Sequence, residues 1–239
     1  MKTIRLLNTR PTHQAKKLTA FIEKQGGDVF HLPVLDFEPV LFAPLHRKAF
    51  DYFIFLSANA VNYFFAQHSP RDFSNSQWIA IGPATQQALY KMVCKEIICP
   101  DCFSTAGILE LSFLKNIQNK SIAIVSGENS KYSLPETLKQ RSAILPNLSC
   151  YRRKKIEYNM DIIFPSLLEK KINSVISTSY ESFLALLELF KKQSHHQWLI
   201  NQTICVVTDQ LNHDAVALGF KYVIQAKNAT DVEIFNAFL

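Results

Sequence analysis

The chain has 239 residues, 48% of them apolar and 19% charged, which is enough for a sizeable core in one or two domains and argues against disorder. Lys and Arg exceed Asp and Glu to give a net charge of +6, a balance that suits an anionic partner. The most hydrophobic stretch, Ala49 to Ala66, is interrupted by Asp51, Ser57, Asn59 and Asn62, so no bilayer span is expected. Arg5, Asn8 and Arg10 break any signal-peptide core, and a cytoplasmic location with reduced thiols is expected.

The first strand reads from Ile4 to Leu7, followed by the turn Thr9-Arg10-Pro11-Thr12 and a helix that buries Ala15, Leu18 and Ile22. Gly26-Gly27 ends that helix, Val29 to Leu32 is a second strand, and Pro33 to Pro44 reads as an extended connection. Asp51 to Leu56 is an aromatic-rich buried strand, broken by Ser57-Ala58-Asn59 before a helix with Ala60, Val61, Phe64 and Phe65 on one face. Trp78 to Ile81 is the next strand, closed by Gly82-Pro83-Ala84-Thr85. Glu96 to Cys99 follows, with Ser104-Thr105 capping a short helix. Ser121 to Val125 is a strand with the turn Ser126-Gly127-Glu128-Asn129. A helix near Leu134 to Gln140 and a strand from Ala143 to Leu145 lead to Tyr151-Arg152-Arg153.

From Met160 the pattern begins again. Strands at Ser174 to Ile176, Thr203 to Val207 and Tyr222 to Gln225 end in the turns Ser177-Thr178-Ser179, Thr208-Asp209-Gln210 and one near Asn228, and Thr230 caps the last helix. Strands that each feed a helix imply parallel sheets with right-handed crossovers. This last third repeats the middle of the chain: Ser57 matches Ser177, Gly82 matches Thr208, Ile98 matches Ile224 and Ser104 matches Thr230. The unit it lacks is supplied by the amino terminus, since Ile4 to Leu7 mirrors Ile122 to Val125. The expected fold is therefore α/β, with two similar flavodoxin-like parallel-sheet domains, one inserted into the other. The split domain would hold 1–36 and 158–239 and the inserted one 40–151, with a two-stranded hinge at 36–39 and 151–157.

Nucleotide-binding, P-loop, nucleophile-elbow and zincin motifs are all missing from the sequence. Cys94, Cys99 and Cys102 have a spacing that iron–sulfur sites also use. The fourth cysteine of such a set, Cys150, is far along the chain, so no metal is expected. His195-His196 reads as a wet helix end. What remains is a set of strand-to-helix turns centred on Thr9, Ser57, Gly82, Ser104, Ser126, Ser177, Thr208 and Asn228. Helix amino termini present N–H groups and the positive end of the dipole, so a ring of them favours carboxylates. The plainer alternative is that each hydroxyl caps its own helix.

Several motifs resemble the uroporphyrinogen-III synthase family. They are T-R-P at Thr9 to Pro11, P-V-L at Pro33 to Leu35, the run from Phe50 to Val61, I-G-P-A-T at Ile81 to Thr85, Y-R-R at Tyr151 to Arg153, and the closing segment from Gly219 to Asp231. Their order and spacing across the whole chain carry the likeness. Thr208-Asp209-Gln210 departs from the family pattern by adding an acid, and Ser126-Gly127-Glu128 by lacking an arginine.

The resemblance implies an enzyme that cyclises hydroxymethylbilane to uroporphyrinogen III with inversion of ring D, without a cofactor. Such chemistry needs an acid, and the candidate is Tyr151, whose phenol stays protonated at neutral pH, with packing at the hinge as its alternative role. Thr9, Arg10, Ser57, Asn59, Thr85, Ser177 and Ser179 match the family's cleft turns, and with Gly82, Ser104, Gly127 and Thr208 from the other turns they are the candidate substrate-binding residues. The expected partners are hydroxymethylbilane and, through transient docking, hydroxymethylbilane synthase. No nucleic acid or membrane is expected, and the chain should act as a monomer. A second reading is a non-enzymatic cytoplasmic small-molecule sensor with two lobes.

Overall fold

A computed structural model describes residues 3–42, 45, 50–93, 95–128 and 133–239. The chain divides into two compact units, one of Met1–Asp36 with Lys154–Leu239 and the other of Phe37–Arg153.

The first unit is a parallel sheet built from β1 (Arg5–Asn8), β2 (Asp28–His31) and, after the return of the chain, β9 (Ser174–Ile176), β10 (Thr203–Val206) and β11 (Tyr222–Gln225). The second sheet holds β3 (Leu35–Pro39), β4 (Tyr52–Phe55), β5 (Gln77–Ala80), β6 (Ile97–Ile98), β7 (Ile122–Gly127) and β8 (Asn147–Lys155). The first sheet has the order β11-β10-β9-β1-β2, the flavodoxin arrangement when counted along the chain. The second has the order β3-β8-β7-β4-β5-β6. Counting the first unit from β9 and wrapping round to β1 gives the same sequence of strands as the second unit counted from β4. Each boundary between units falls inside a strand, β3 on the way out and β8 on the way back.

The middle strands of both sheets carry short apolar runs, and their alternate residues enter opposite cores. Phe53, Phe55, Ala123 and Val125 join a core rich in phenylalanine, whereas Ile54, Ile122 and Ile124 between them join another. Leu7 and Leu6 divide the first unit in the same way. The helices follow their sequence cues. α1 (Thr12–Lys24) buries Ala15, Leu18 and Ile22 and stops where Gly26 adopts a left-handed conformation with φ of 78°. In the second unit α2 (Ala58–Phe65), α3 (Pro83–Val93), α4 (Thr105–Glu110) and α5 (Leu134–Gln140) each follow a strand. In the first unit α6 (Met160–Glu169), α7 (Tyr180–Leu189), α8 (Gln193–Ile200), α9 (Asp209–Ala217) and α10 (Asp231–Asn236) complete the layers.

Four expectations need correction. Ser126 and Gly127 are not a turn but the buried end of β7, because β8 pairs with them and continues the sheet. Ala143 to Leu145 is not a strand; Ile144 makes one isolated bridge to Ser121, and the long strand begins at Asn147 instead. The connection after Pro33 contains β3 at the sheet edge. His195 is not a wet helix end: it lies within α8, 5% exposed, with its ring 4.0 Å from that of Phe164. Cys94 and Asn129 lie outside the described residues. Cys99, Cys102, Cys150 and Cys205 are free, and no metal-holding cluster occurs among the described residues. No described helix is long and apolar enough to cross a membrane.

Candidate active site

In the second unit the site begins where β4 ends. Ser57 adopts an extended conformation and caps α2, its Oγ accepting from the Ala60 N–H at 3.0 Å. The same oxygen lies 3.1 Å from the phenolic oxygen of Tyr151, which stands 94 residues away on β8. Tyr151 reaches it because of a bulge. Ser126 pairs with Ser149 but Gly127 pairs with Tyr151, so Cys150 is the extra residue. Adjacent residues of a regular strand face opposite ways, yet Cys150 and Tyr151 both enter the aromatic core.

The tyrosine ring is held on several sides. Tyr63 stacks on it at 5.5 Å, Phe37 meets it edge-on at 5.4 Å, and the residue is 5% exposed. Tyr63 is itself fixed by donating its hydroxyl to the Phe37 carbonyl at 2.8 Å. Gly127 supplies the remaining wall. A Cβ there would lie 2.7 Å from two carbons of the Tyr151 ring and 3.0 Å from its oxygen, so no other residue fits without moving the ring. Gly127, expected to bind substrate, is thus the gap that admits the tyrosine. Beneath it the Cys150 thiol donates weakly to the carbonyls of Ala60 and Ser126, and burial pushes its pKa up to about 12. That thiol is no nucleophile.

The other turns of this unit differ in kind. Asn59 sits in the first turn of α2, and Gly82 precedes α3, with Phe103 at 3.3 Å from where its Cβ would stand. Thr85 is buried in the first turn of α3, and Ser104 caps α4 through the Gly107 N–H.

In the first unit the polar groups bind one another. Thr9 donates its hydroxyl to the Ile176 carbonyl, tying the ends of β1 and β9 together. Ser177 meets Ser182 at 3.1 Å, Ser179 forms a capping box with Ser182, and Thr208 accepts from the Leu211 N–H. Arg10 is 8% exposed, and its guanidinium pairs with Asp231 at the start of α10, so two motifs far apart in sequence meet. Its Nε has no partner among the described residues. α1 follows β1 directly, and Pro11 at its N-cap offers no side chain to its free N–H groups. Asp209, the added acid, accepts from Gln225 at 2.8 Å. The pairings of Ser57 with Tyr151 and Arg10 with Asp231 were not readable in advance; the only hint was that all four residues lie in family-like motifs.

The family model described as Uroporphyrinogen-III synthase HemD matches residues 16–236. Uroporphyrinogen-III synthase of Escherichia coli is 25% identical over 97% of this chain and 98% of its own length. The enzyme of Salmonella typhimurium is 27% identical over the same shares. Among solved structures, the uroporphyrinogen-III synthetase of Helicobacter pylori aligns over 99% of this chain and 97% of its own, with a TM-score of 0.63 at 16% identity. A mutant uroporphyrinogen III synthase of Thermus thermophilus aligns over 98% and 97% with a TM-score of 0.60 at 14% identity. At those identities the structures speak for the fold alone.

Proposed function

The chain belongs to the uroporphyrinogen-III synthase family, and from that membership we propose which of its residues carry the reaction. It is a cyclising lyase of tetrapyrrole and heme biosynthesis that closes hydroxymethylbilane to uroporphyrinogen III with inversion of ring D. The sensor reading has no support.

The terminal hydroxyl of the substrate must leave as water, which needs a proton and generates an electron-deficient azafulvene. The substituted carbon of the far ring then attacks, giving a spiro intermediate that reopens and closes in the inverted sense. In this proposal Tyr151 gives the first proton. An ordinary phenol stays protonated at neutral pH, so it can donate where a carboxylic acid would already be ionised. Ser57 holds the phenol in place: its Oγ accepts from the α2 backbone and turns its own hydrogen to the Tyr151 oxygen, so the phenolic hydrogen points at the leaving group. The hydroxyl contact of 3.1 Å at a helix amino terminus is the observation that carries this assignment.

Substrate carboxylates are anchored, in the same proposal, by backbone N–H groups of uncapped helix ends, the Thr9-Arg10-Pro11 turn before α1 above all. The Arg10 guanidinium, already paired with Asp231, holds that turn in shape. Asn59, Gly82 and Thr85 line the matching edge of the second unit. Ser104, Ser177, Ser179 and Thr208 act through the backbones they brace. Monomeric action, a cytoplasmic location and transient docking to hydroxymethylbilane synthase belong to the proposal as well. Each unit burying its own cores supports the first, and the free thiols support the second. Incubating the purified protein with hydroxymethylbilane and separating the type I and type III porphyrins tests the reading. Predominant type III is expected; type I alone, as in the uncatalysed reaction, would overturn it.

A further inference from the structure

A cavity in the Phe37–Arg153 unit lies at the amino ends of its strands, opposite the edge that carries Ser57 and Gly82. Its volume is about 460 Å³, within the usual range for small-molecule sites. Pro70, Met92 and Val93 give it apolar walls, and Trp78 closes one side. Trp78 is 2% exposed and stacks on Phe53 at 5.0 Å, which fixes the indole plane. Its indole N–H has no acceptor among the described residues, although buried tryptophans generally find one.

Among the described residues, the charged ones that line this cavity are Arg71 and Lys95, and no acid lines it. Lys95 donates to the Ser74 carbonyl and keeps further N–H donors. Arg71 forms no ion pair among the described residues. The nearest acid in sequence, Asp72, turns instead to the Ser69 N–H at 3.2 Å. An apolar pocket with two cations at its rim suits an anion with an apolar body. We propose that this cavity binds a small amphipathic carboxylate of about one ring, its carboxylate held by Arg71 and Lys95 and its body against Trp78, Pro70, Met92 and Val93. The site is separate from the one assigned to the reaction and does not depend on that assignment.

The chain has two tryptophans, so a Trp198→Phe variant leaves Trp78 as the only indole and turns its emission into a reporter. Titration with benzoate should give a saturable change in emission. The neutral isostere benzamide should give none. Adding Arg71→Gln and Lys95→Gln, both at exposed positions, should weaken benzoate binding roughly tenfold or more with an unchanged circular dichroism spectrum. No saturable change with benzoate, an equal response to benzamide, or unaltered binding in the double-charge variant would each overturn the proposal.

Discussion

The two units share one strand order, permuted, and use the carboxyl edges of their sheets differently. In the unit built from both chain ends, Thr9, Ser177, Ser179, Thr208 and the Arg10–Asp231 pair all bind neighbouring protein groups. In the Phe37–Arg153 unit, a β-bulge and a glycine gap bring a tyrosine hydroxyl to a helix-capping serine. Shared topology therefore sets where turns lie but not which groups their polar side chains meet. A regular strand in place of the bulge would carry Tyr151 to the opposite face, away from Ser57.

The comparison can be broken at either edge. The largest effect on stability is expected at Arg10. Arg10→Ala leaves Asp231 without its partner in a partly buried site and should cost about 3 kcal/mol, read by urea denaturation. Unchanged stability would mean that the ion pair does not brace the first edge.

Gly127→Ala should come next, because its methyl would overlap the Tyr151 ring; overpacking costs about 1–3 kcal/mol. Activity should fall with it. The Gly127→Ala, Tyr151→Phe double variant should lose little more than the worse single one, since both act through the same hydroxyl. Additive losses would separate Gly127 from the tyrosine.

Ser57→Ala removes both a helix cap and the partner of Tyr151. It should cost about 1 kcal/mol of stability, together with a lower kcat and more type I product. Ser57→Thr, which keeps the hydroxyl, should restore most of the rate. If Ser57→Ala loses stability but keeps its rate and isomer ratio, the serine is a cap only.

The smallest effect is expected at Asp51, away from both edges. Hydrogen bonds from Lys120 at 2.8 Å and the Ser121 N–H at 2.9 Å hold its pKa below the usual carboxylate value. A lowered folded-state pKa stabilises above the unfolded value, near 3.9, and that contribution fades as the pH falls through the folded value. Asp51→Asn should flatten the acid limb of stability slightly and leave neutral activity alone. An unchanged acid limb would argue against the contact.

Much of the fold was legible because parallel strands covered on both faces write themselves as short apolar runs, as Phe53 to Phe55 and Ile122 to Val125 do. Hydroxyls at Ser57, Ser104 and Thr230 marked helix starts through the capping preference alone. The end of β7 was misread because Ser126-Gly127 has turn composition, while the glycine is required by a ring 24 residues further on. No local pattern reports such a contact. Tyr151 was legible as a candidate but its setting was not. The bulge that turns it is a property of pairing between β7 and β8, and neither strand shows it alone. The Arg10–Asp231 pair was hidden for the same reason, with its members 221 residues apart.

The claim that the Phe37–Arg153 unit presents a proton donor rests on one oxygen atom, and Tyr151→Phe removes only that atom while keeping the ring against Tyr63, Phe37 and Gly127. With stability measured in parallel, kcat should fall by about 10²–10⁴-fold, the usual worth of a positioned acid, and the product should shift from type III toward type I. A Tyr151→Phe enzyme that folds normally, turns over at nearly the full rate and still yields type III would contradict the account, leaving Tyr151 as a packing residue and the proton to another source.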